Sequence, residues 1–306
     1  MSDHQGITGH QASLPAGRPL ALWLVLAGVG LSWGGTYPLS KIVVDAGHHP
    51  IGINFLGTVI GAVIVTCAMI ATGRRLPLDR RHLIFYAICG ITGTALPHTL
   101  GYYGYQVLPV GIIAIVTAIV PITTFLAALL LRMERPEPLR LLGLSMGLGA
   151  VAVLTVPKTS LPSPEMALWI VLPVIVGLSY TVENVYIARA QPDGLDAMQT
   201  MTGLFWAATA WLLPVTAATG TWMPVGRFDG AELALLGATM GHLAAYSGFV
   251  WLIRQAGPVF AAQVSYIVTL TGVFLGILVF GESHSAWVWG ALAMVLGGLA
   301  LVQPRR

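Results

Sequence analysis

"LSYTVENVYIAR", residues 178–189, ends a long apolar run and yet carries Glu183 and Asn184 side by side. Laid against "LSWGGTYPLSK" at 31–41, it becomes half of a pair: Ser179 matches Ser32 and Tyr180 matches Trp33, 147 residues apart. A second pair follows downstream. "RMERPEPLRLLGLSMGLGAVAVL" (132–154) lies over "FGESHSAWVWGALAMVLGGLALV" (280–302), matching Glu134 to Glu282, Met146 to Met294 and Leu148–Ala150 to Leu296–Gly298, 148 residues apart. "LPVG" at 108–111 and "GPVF" at 257–260 align within one residue. The matches are short, but they keep one order along both halves. The second half of the chain therefore reads as a repeat of the first.

Each half is oily. Of 306 residues, 56% are hydrophobic and 9% charged, against about a quarter charged in soluble domains. A soluble fold cannot hide that much apolar surface, so the bilayer is the expected solvent. About twenty apolar residues cross a ~30 Å hydrocarbon core as a helix. Such runs lie at 20–41, 51–72, 83–105, 109–131, 139–156, 167–188, 196–217, 231–252, 258–280 and 286–303, ten in all. They are continuous rather than alternating, which favours helices over barrel strands. The expectation is an all-α integral membrane protein of ten transmembrane helices arranged as two inverted five-helix repeats, 20–156 and 167–303, after a disordered cytoplasmic tail at 1–19. The run from Leu20 is read as an uncleaved first span rather than a signal peptide.

Five spans per half is an odd number, so the halves cross the membrane with opposite polarity. With the N-terminus in the cytoplasm, twelve of the fifteen Lys and Arg fall on the inner side, Arg18, Arg74, Arg75, Arg80 and Arg81 among them. Only Lys41, Lys158 and Arg227 fall outside. The asymmetry places both termini inside. Inverted repeats suit alternating access, in which one pseudo-symmetric structure opens to either side of a central site.

The basic residues are scattered between apolar runs, so no nucleic-acid partner is expected. Cys67 and Cys89 make neither a disulfide framework nor a metal spacing. No phosphate loop, metal pair or serine elbow is present, so neither an enzyme nor a cofactor is expected. The expected partners are a small-molecule metabolite and the lipid bilayer.

Together with the duplication, "WGGTYPLSK" (33–41), "YQVLPVGIIAIVTAIVP" (105–121) and "GPVFAAQVSYIVTLTGVFLGILVFGE" (257–282) resemble the EamA-type members of the drug/metabolite transporter superfamily over residues 20–303. The resemblance implies secondary transport of small metabolites, often amino acids or related compounds, outward across the bacterial inner membrane. Thr269 stands where the family often has proline, and span 2 opens "IGINFLG" without an arginine common there. An intramembrane lipid-modifying enzyme, a passive channel and a non-transporting scaffold are the alternatives.

A charge at membrane depth is costly and should face a cavity or a partner. Residues three or four apart share a helix face, which groups the polar residues of the spans. Ser179, Tyr180 and Glu183 form a stripe on span 6, with Asn184 about 100° round. Glu183 lies six residues from Arg189, roughly 9 Å along the helix, and so in the inner half of the membrane. It reads either as a structural carboxylate or as a site for a substrate amine or a proton. Trp33, Tyr37 and Lys41 line span 1, Thr94, His98 and Tyr102 line span 3, His242 and Tyr246 line span 8, and Gln263, Tyr266 and Thr269 line span 9. Assembled, these are the expected cavity walls. Glu183, His98 and His242 are the proton-coupling candidates, with hydrogen-bonded packing as the plainer role for each histidine. Tyr102, Tyr103, Tyr105 and Trp251 read alternatively as an interfacial belt. Lys41 is expected to snorkel to the headgroups. Glu134 and Glu282 are expected to favour the start of the helix that follows each. GxxxG pairs such as Gly30/Gly34 and Gly143/Gly147 permit close helix contact, expected within a monomeric bundle.

Overall fold

The computed structural model describes residues 18–157, 159–226 and 229–302; residues 1–17 of the expected tail, Lys158, Arg227 and the terminal arginines lie outside these, while Arg18 and Pro19, expected in the tail, begin the first helix. The helices are α1 (Arg18–Asp45), α2 (Pro50–Ala71), α3 (Arg80–Gly90), α4 (Leu96–Tyr105), α5 (Val110–Thr117), α6 (Val120–Leu130), α7 (Pro138–Thr155), α8 (Met166–Trp169), α9 (Val171–Ala190), α10 (Ala197–Thr219), α11 (Gly230–Ala261), α12 (Val264–Phe280) and α13 (Ala286–Val302). A five-residue π turn, Ile91–Ala95, joins α3 to α4. No strand occurs among the described residues.

Eight helical stretches are long and apolar enough to cross a membrane: Leu20–Asp45, Pro50–Ala71, Arg80–Tyr105, Val110–Leu130, Pro138–Thr155, Met166–Ala190, Ala197–Thr219 and Gly230–Ala256. The last two expected spans are shorter apolar helices, α12 and α13. Outward-facing leucines cover the bundle; Leu130, Leu168 and Leu278 are more than three-quarters exposed. Apolar surface on that scale belongs against lipid rather than water.

Local chemistry sets the helix ends. Asp196 and Gln199 form a reciprocal capping box at the start of α10, satisfying two otherwise orphaned N–H groups. Gly220 and Gly281 end α10 and α12 at positive φ, 65° each, the left-handed conformation that costs glycine least. The expected boundary between spans 8 and 9 is corrected: Gly257 and Pro258 lie inside α11, and the break comes at Ala262–Gln263. Proline removes one backbone donor, and apolar residues on both sides can carry the helix through it. Span 4 breaks instead at Ala118–Ile119, two residues before Pro121.

α1 packs on α11 and α12, α2 on α10, α7 on α13, α5 on α12, and α9 on α4 and α6. Small residues set the closest crossings. A Cβ on Gly143 of α7 would come within 2.7 Å of the Gly298 carbonyl oxygen on α13, so the two backbones touch as glycine allows. The other GxxxG pairs also face neighbours inside the bundle, Gly30 against Ile267 and Gly61 against Phe205.

Candidate functional site

A chamber of about 680 Å³ opens between the helices, a size that accommodates a small molecule. Its construction starts at the π turn. The inserted residue widens the helix, and Pro97 withholds an N–H just beyond, so backbone carbonyls are freed. Side chains from two other helices take them. Ser179 donates to the Thr92 carbonyl at 2.6 Å. The Asn54 amide, 1% exposed, donates to the Ala95 carbonyl at 2.9 Å and to Thr99 Oγ1 at 2.8 Å, with a longer contact to the Thr94 carbonyl. The turn that displays Gly93, Thr94 and His98 to the chamber is thus pinned from α2 and α9.

Glu183 approaches this turn from α9 and lines the chamber. Its carboxylate rests against Gly93, where any Cβ would overlap it. No hydrogen bond or ion pair reaches it among the described residues. An ionisable group at membrane depth without a protein partner has to face a cavity, and Glu183 does. Asn184, next along α9, donates to Thr124 Oγ1 at 3.4 Å.

Aromatic rings and two histidines form much of the remaining wall. Trp33 Nε1 donates to His242 Nδ1 at 3.2 Å, which leaves His242 Nε2 as the protonated nitrogen of the neutral ring. The His98 ring stands edge-on to His242, centroids 5.6 Å apart. Tyr37 and Thr117 share a hydroxyl–hydroxyl bond of 2.8 Å. Tyr102, Tyr180 and Tyr246 line the same space. Neither histidine bonds to Glu183; the contact that a lipid-modifying site built on these groups would require is not formed among the described residues.

Nine of the eleven residues expected at the cavity line it: Trp33, Tyr37, His98, Tyr102, Tyr180, Glu183, Asn184, His242 and Tyr246. Gln263 and Tyr266 do not. α12 starts at Val264, which leaves Gln263 at its N-cap. The lining face carries Ser265, Val268 and Thr269, while Tyr266 turns onto the main apolar core. The belt alternative fails for Tyr102 and Tyr105, which are buried, and fits Trp251, which is 41% exposed. Lys41 is pinned rather than snorkelling: its ammonium binds Asp45 at 2.9 Å and the Tyr105 carbonyl at 3.2 Å, over the Phe280 ring. The expected role of the paired glutamates is also corrected. Glu282 caps α5 rather than the following helix. Glu134 binds Arg140 at 3.0 Å on α7, where the guanidinium also donates to the Val302 carbonyl and stacks over Phe125.

Polar residues that line the site beyond those expected include Asn54, Thr58, Thr36, Ser40, Glu134 and Arg140. Asn54 and Thr58, four apart, mark one face of span 2, a signal of the same kind as the stripes on spans 1 and 3.

Residues 20–156 match the model of the EamA-like transporter family. An Escherichia coli K12 protein named as an uncharacterized inner membrane transporter, YedA, is 25% identical over 300 residues, covering 92% of this chain and 90% of its own. A probable terminal-alkyne amino-acid exporter of Streptantibioticus cattleyicolor is 26% identical over 298 residues, covering 93% and 94%. A solved crystal structure, 19% identical, superposes with a TM-score of 0.62 over 92% of this chain and 97% of that one, which shows a shared fold. A helical bundle faced with exposed leucine, a chamber walled by aromatic rings, relatives named as transporters along nine-tenths of the chain and a first half that matches the EamA-like model lead to one assignment: this protein is a membrane transporter similar to the EamA-like transporter family.

Proposed function

We propose that the protein is a secondary transporter that exports small amine-bearing metabolites, amino acids or close relatives, across a bacterial inner membrane by alternating access. The observation that carries this is Glu183: an unpaired carboxylate in an aromatic-walled chamber between the helices. A carboxylate receives a primary amine by charge-assisted hydrogen bonds, and aromatic faces favour a cation beside them. The curated relative named as an amino-acid exporter and the one named as an inner membrane transporter support the substrate class and the membrane.

Alternating access rests on two inverted five-helix repeats, 20–156 and 167–303, with both termini cytoplasmic. Exchanging the repeats turns the α1–α11 contact into α9–α4 and the α1–α12 contact into α9–α6, and returns α2–α10, α5–α12 and α7–α13 to themselves; each of these contacts is present. One hydrogen bond is duplicated as well. Ser32 donates to the Gly241 carbonyl at 2.9 Å, and its match Ser179 donates to the Thr92 carbonyl. One turn further along, Thr36 in the first repeat corresponds to Glu183 in the second. The fold therefore accepts a neutral residue at this place, which favours a functional role for the carboxylate.

The protein works as a monomer in the bilayer, with His98 and His242 as the groups that would couple flux to protons. Proteoliposomes loaded with a panel of amino acids test the proposal. Saturable flux of an amine-bearing solute, lost in Glu183→Gln, supports it; folded protein that moves no solute saturably sinks it.

A further inference from the structure

Pro109 precedes α5 and offers no side-chain cap to it. The first turn of that helix is served from far along the chain. Glu282, in the turn between α12 and α13, accepts the Val110 N–H on Oε1 and the Gly111 N–H on Oε2, the latter at 3.0 Å. The seat is built for a carboxylate. Gly281 ends α12 at φ 65° and turns the chain. A Cβ on Gly276 would come 2.5 Å from Glu282 Oε2, and one on Gly111 would come 3.3 Å from it and 2.7 Å from His284 Nε2. The side chains of Glu282 and His284 are 8% and 1% exposed, with His284 Nε2 3.5 Å from Oε2. Burial lowers the pKa of His284, and Glu282 pulls it the other way.

The two ends of the chamber differ. Its walls run to Glu134 at one end, whose side chain is 44% exposed. Toward Glu282 they run to Ser40 and Tyr105, with Tyr37 and Tyr105 edge-on to each other, and do not take in Glu282 itself. α5 contributes Ile113 and Thr117 to the wall, so separating α5 from α12 would open the chamber at the Glu282 end.

We propose that Glu282 is a positioning residue for transport, a latch that holds α5 against α12 and keeps this end of the chamber shut until the cycle releases it. The proposal rests on the alternating-access reading. The latch joins a carboxylate to the positive end of a helix, and both its glycines serve to let the carboxylate in.

The test reads chamber accessibility from each face. In a background with Cys67 and Cys89 replaced by alanine, Thr36→Cys reports from the chamber wall and Arg135→Cys reports the sidedness of the Glu134 end. Labelling by a membrane-impermeant maleimide is compared between intact cells and inside-out vesicles. Hydrogen bonds to a charged group contribute about 1.5–3 kcal/mol, so Glu282→Gln is expected to raise labelling from the Glu282 face over the Glu134 face by roughly tenfold or more. Gly276→Ala, which displaces the carboxylate from the other helix, is expected to shift the ratio the same way, so the test does not hang on one variant. Both variants are scored only as monodisperse protein. An unchanged ratio in both, with wild-type protein labelled from both faces, overturns the latch and leaves the transport reading intact. Labelling from a single face in wild type and both variants overturns latch and alternating access together.

Discussion

Gly93→Ala separates a binding role for Glu183 from a structural one. All three atoms of the Glu183 carboxyl group lie within 2.5 Å of the Cβ that alanine would add, while ordinary contact begins at 3.4 Å. The obstacle is the far end of a flexible side chain, so the carboxylate moves, by about 1 Å, and the backbone stays. Gly93 has no positive φ to lose, and alanine in a helical turn is favoured over glycine by up to about 1 kcal/mol. Stability should therefore hold or rise slightly. Binding should not. At an effective dielectric of about 20, opposite unit charges lose about 1.4 kcal/mol as they part from roughly 3 to roughly 4 Å, about tenfold in affinity. The assay is competitive counterflow in proteoliposomes with a transported amino acid and with the same carbon skeleton lacking the amine, alongside thermal unfolding in detergent. The expected result is an unshifted melting temperature, about tenfold weaker binding of the amine compound, and little change for its analogue. Equal loss for both compounds, or a melting temperature that falls with full affinity retained, would refute the reasoning.

Asn54→Leu removes the amide that serves the π turn: the Ala95 carbonyl loses one donor and keeps Thr99 Oγ1, and Thr99 Oγ1 loses its own donor. It should lower unfolding stability by about 1–3 kcal/mol, measured by denaturant titration in detergent; an unchanged midpoint would show that the turn holds itself. Gly61→Ala drives a methyl into the Phe205 ring and should cost about 1–3 kcal/mol through overpacking of α2 on α10, read by the same titration. Arg140→Lys keeps the charge but loses the guanidinium plane over Phe125 and its bond to Val302. A loss on the order of 1 kcal/mol is expected, visible as a lower melting temperature, and a silent substitution would deny the stacking its role.

Hydropathy was legible because each residue's transfer to lipid is nearly independent of its neighbours. The apolar runs therefore located the helices, and repeated pairs such as Ser32 with Ser179 underlie the proposed two-repeat arrangement. The polar stripes on spans 1, 3, 6 and 8 were legible for a related reason: in a bundle surrounded by lipid, polar side chains have only the interior to face. Span 9 was harder, because its face depends on where the helix begins. With the helix starting at Val264 rather than 258, Ser265 and Val268 join the expected Thr269 on the wall, and Gln263 and Tyr266 are off it.

Linear order thus specified an oily, all-helical chain and most of the side chains that meet at its centre. It did not specify their partners. Glu282 caps a helix that begins 172 residues earlier, Asn54 serves a turn that starts well beyond its own span, and the Glu183 carboxylate settles on a glycine of another helix. Those pairings depend on how helices rotate and approach one another, and that is set by close packing in three dimensions, where a π turn or a glycine shifts which side chains can touch.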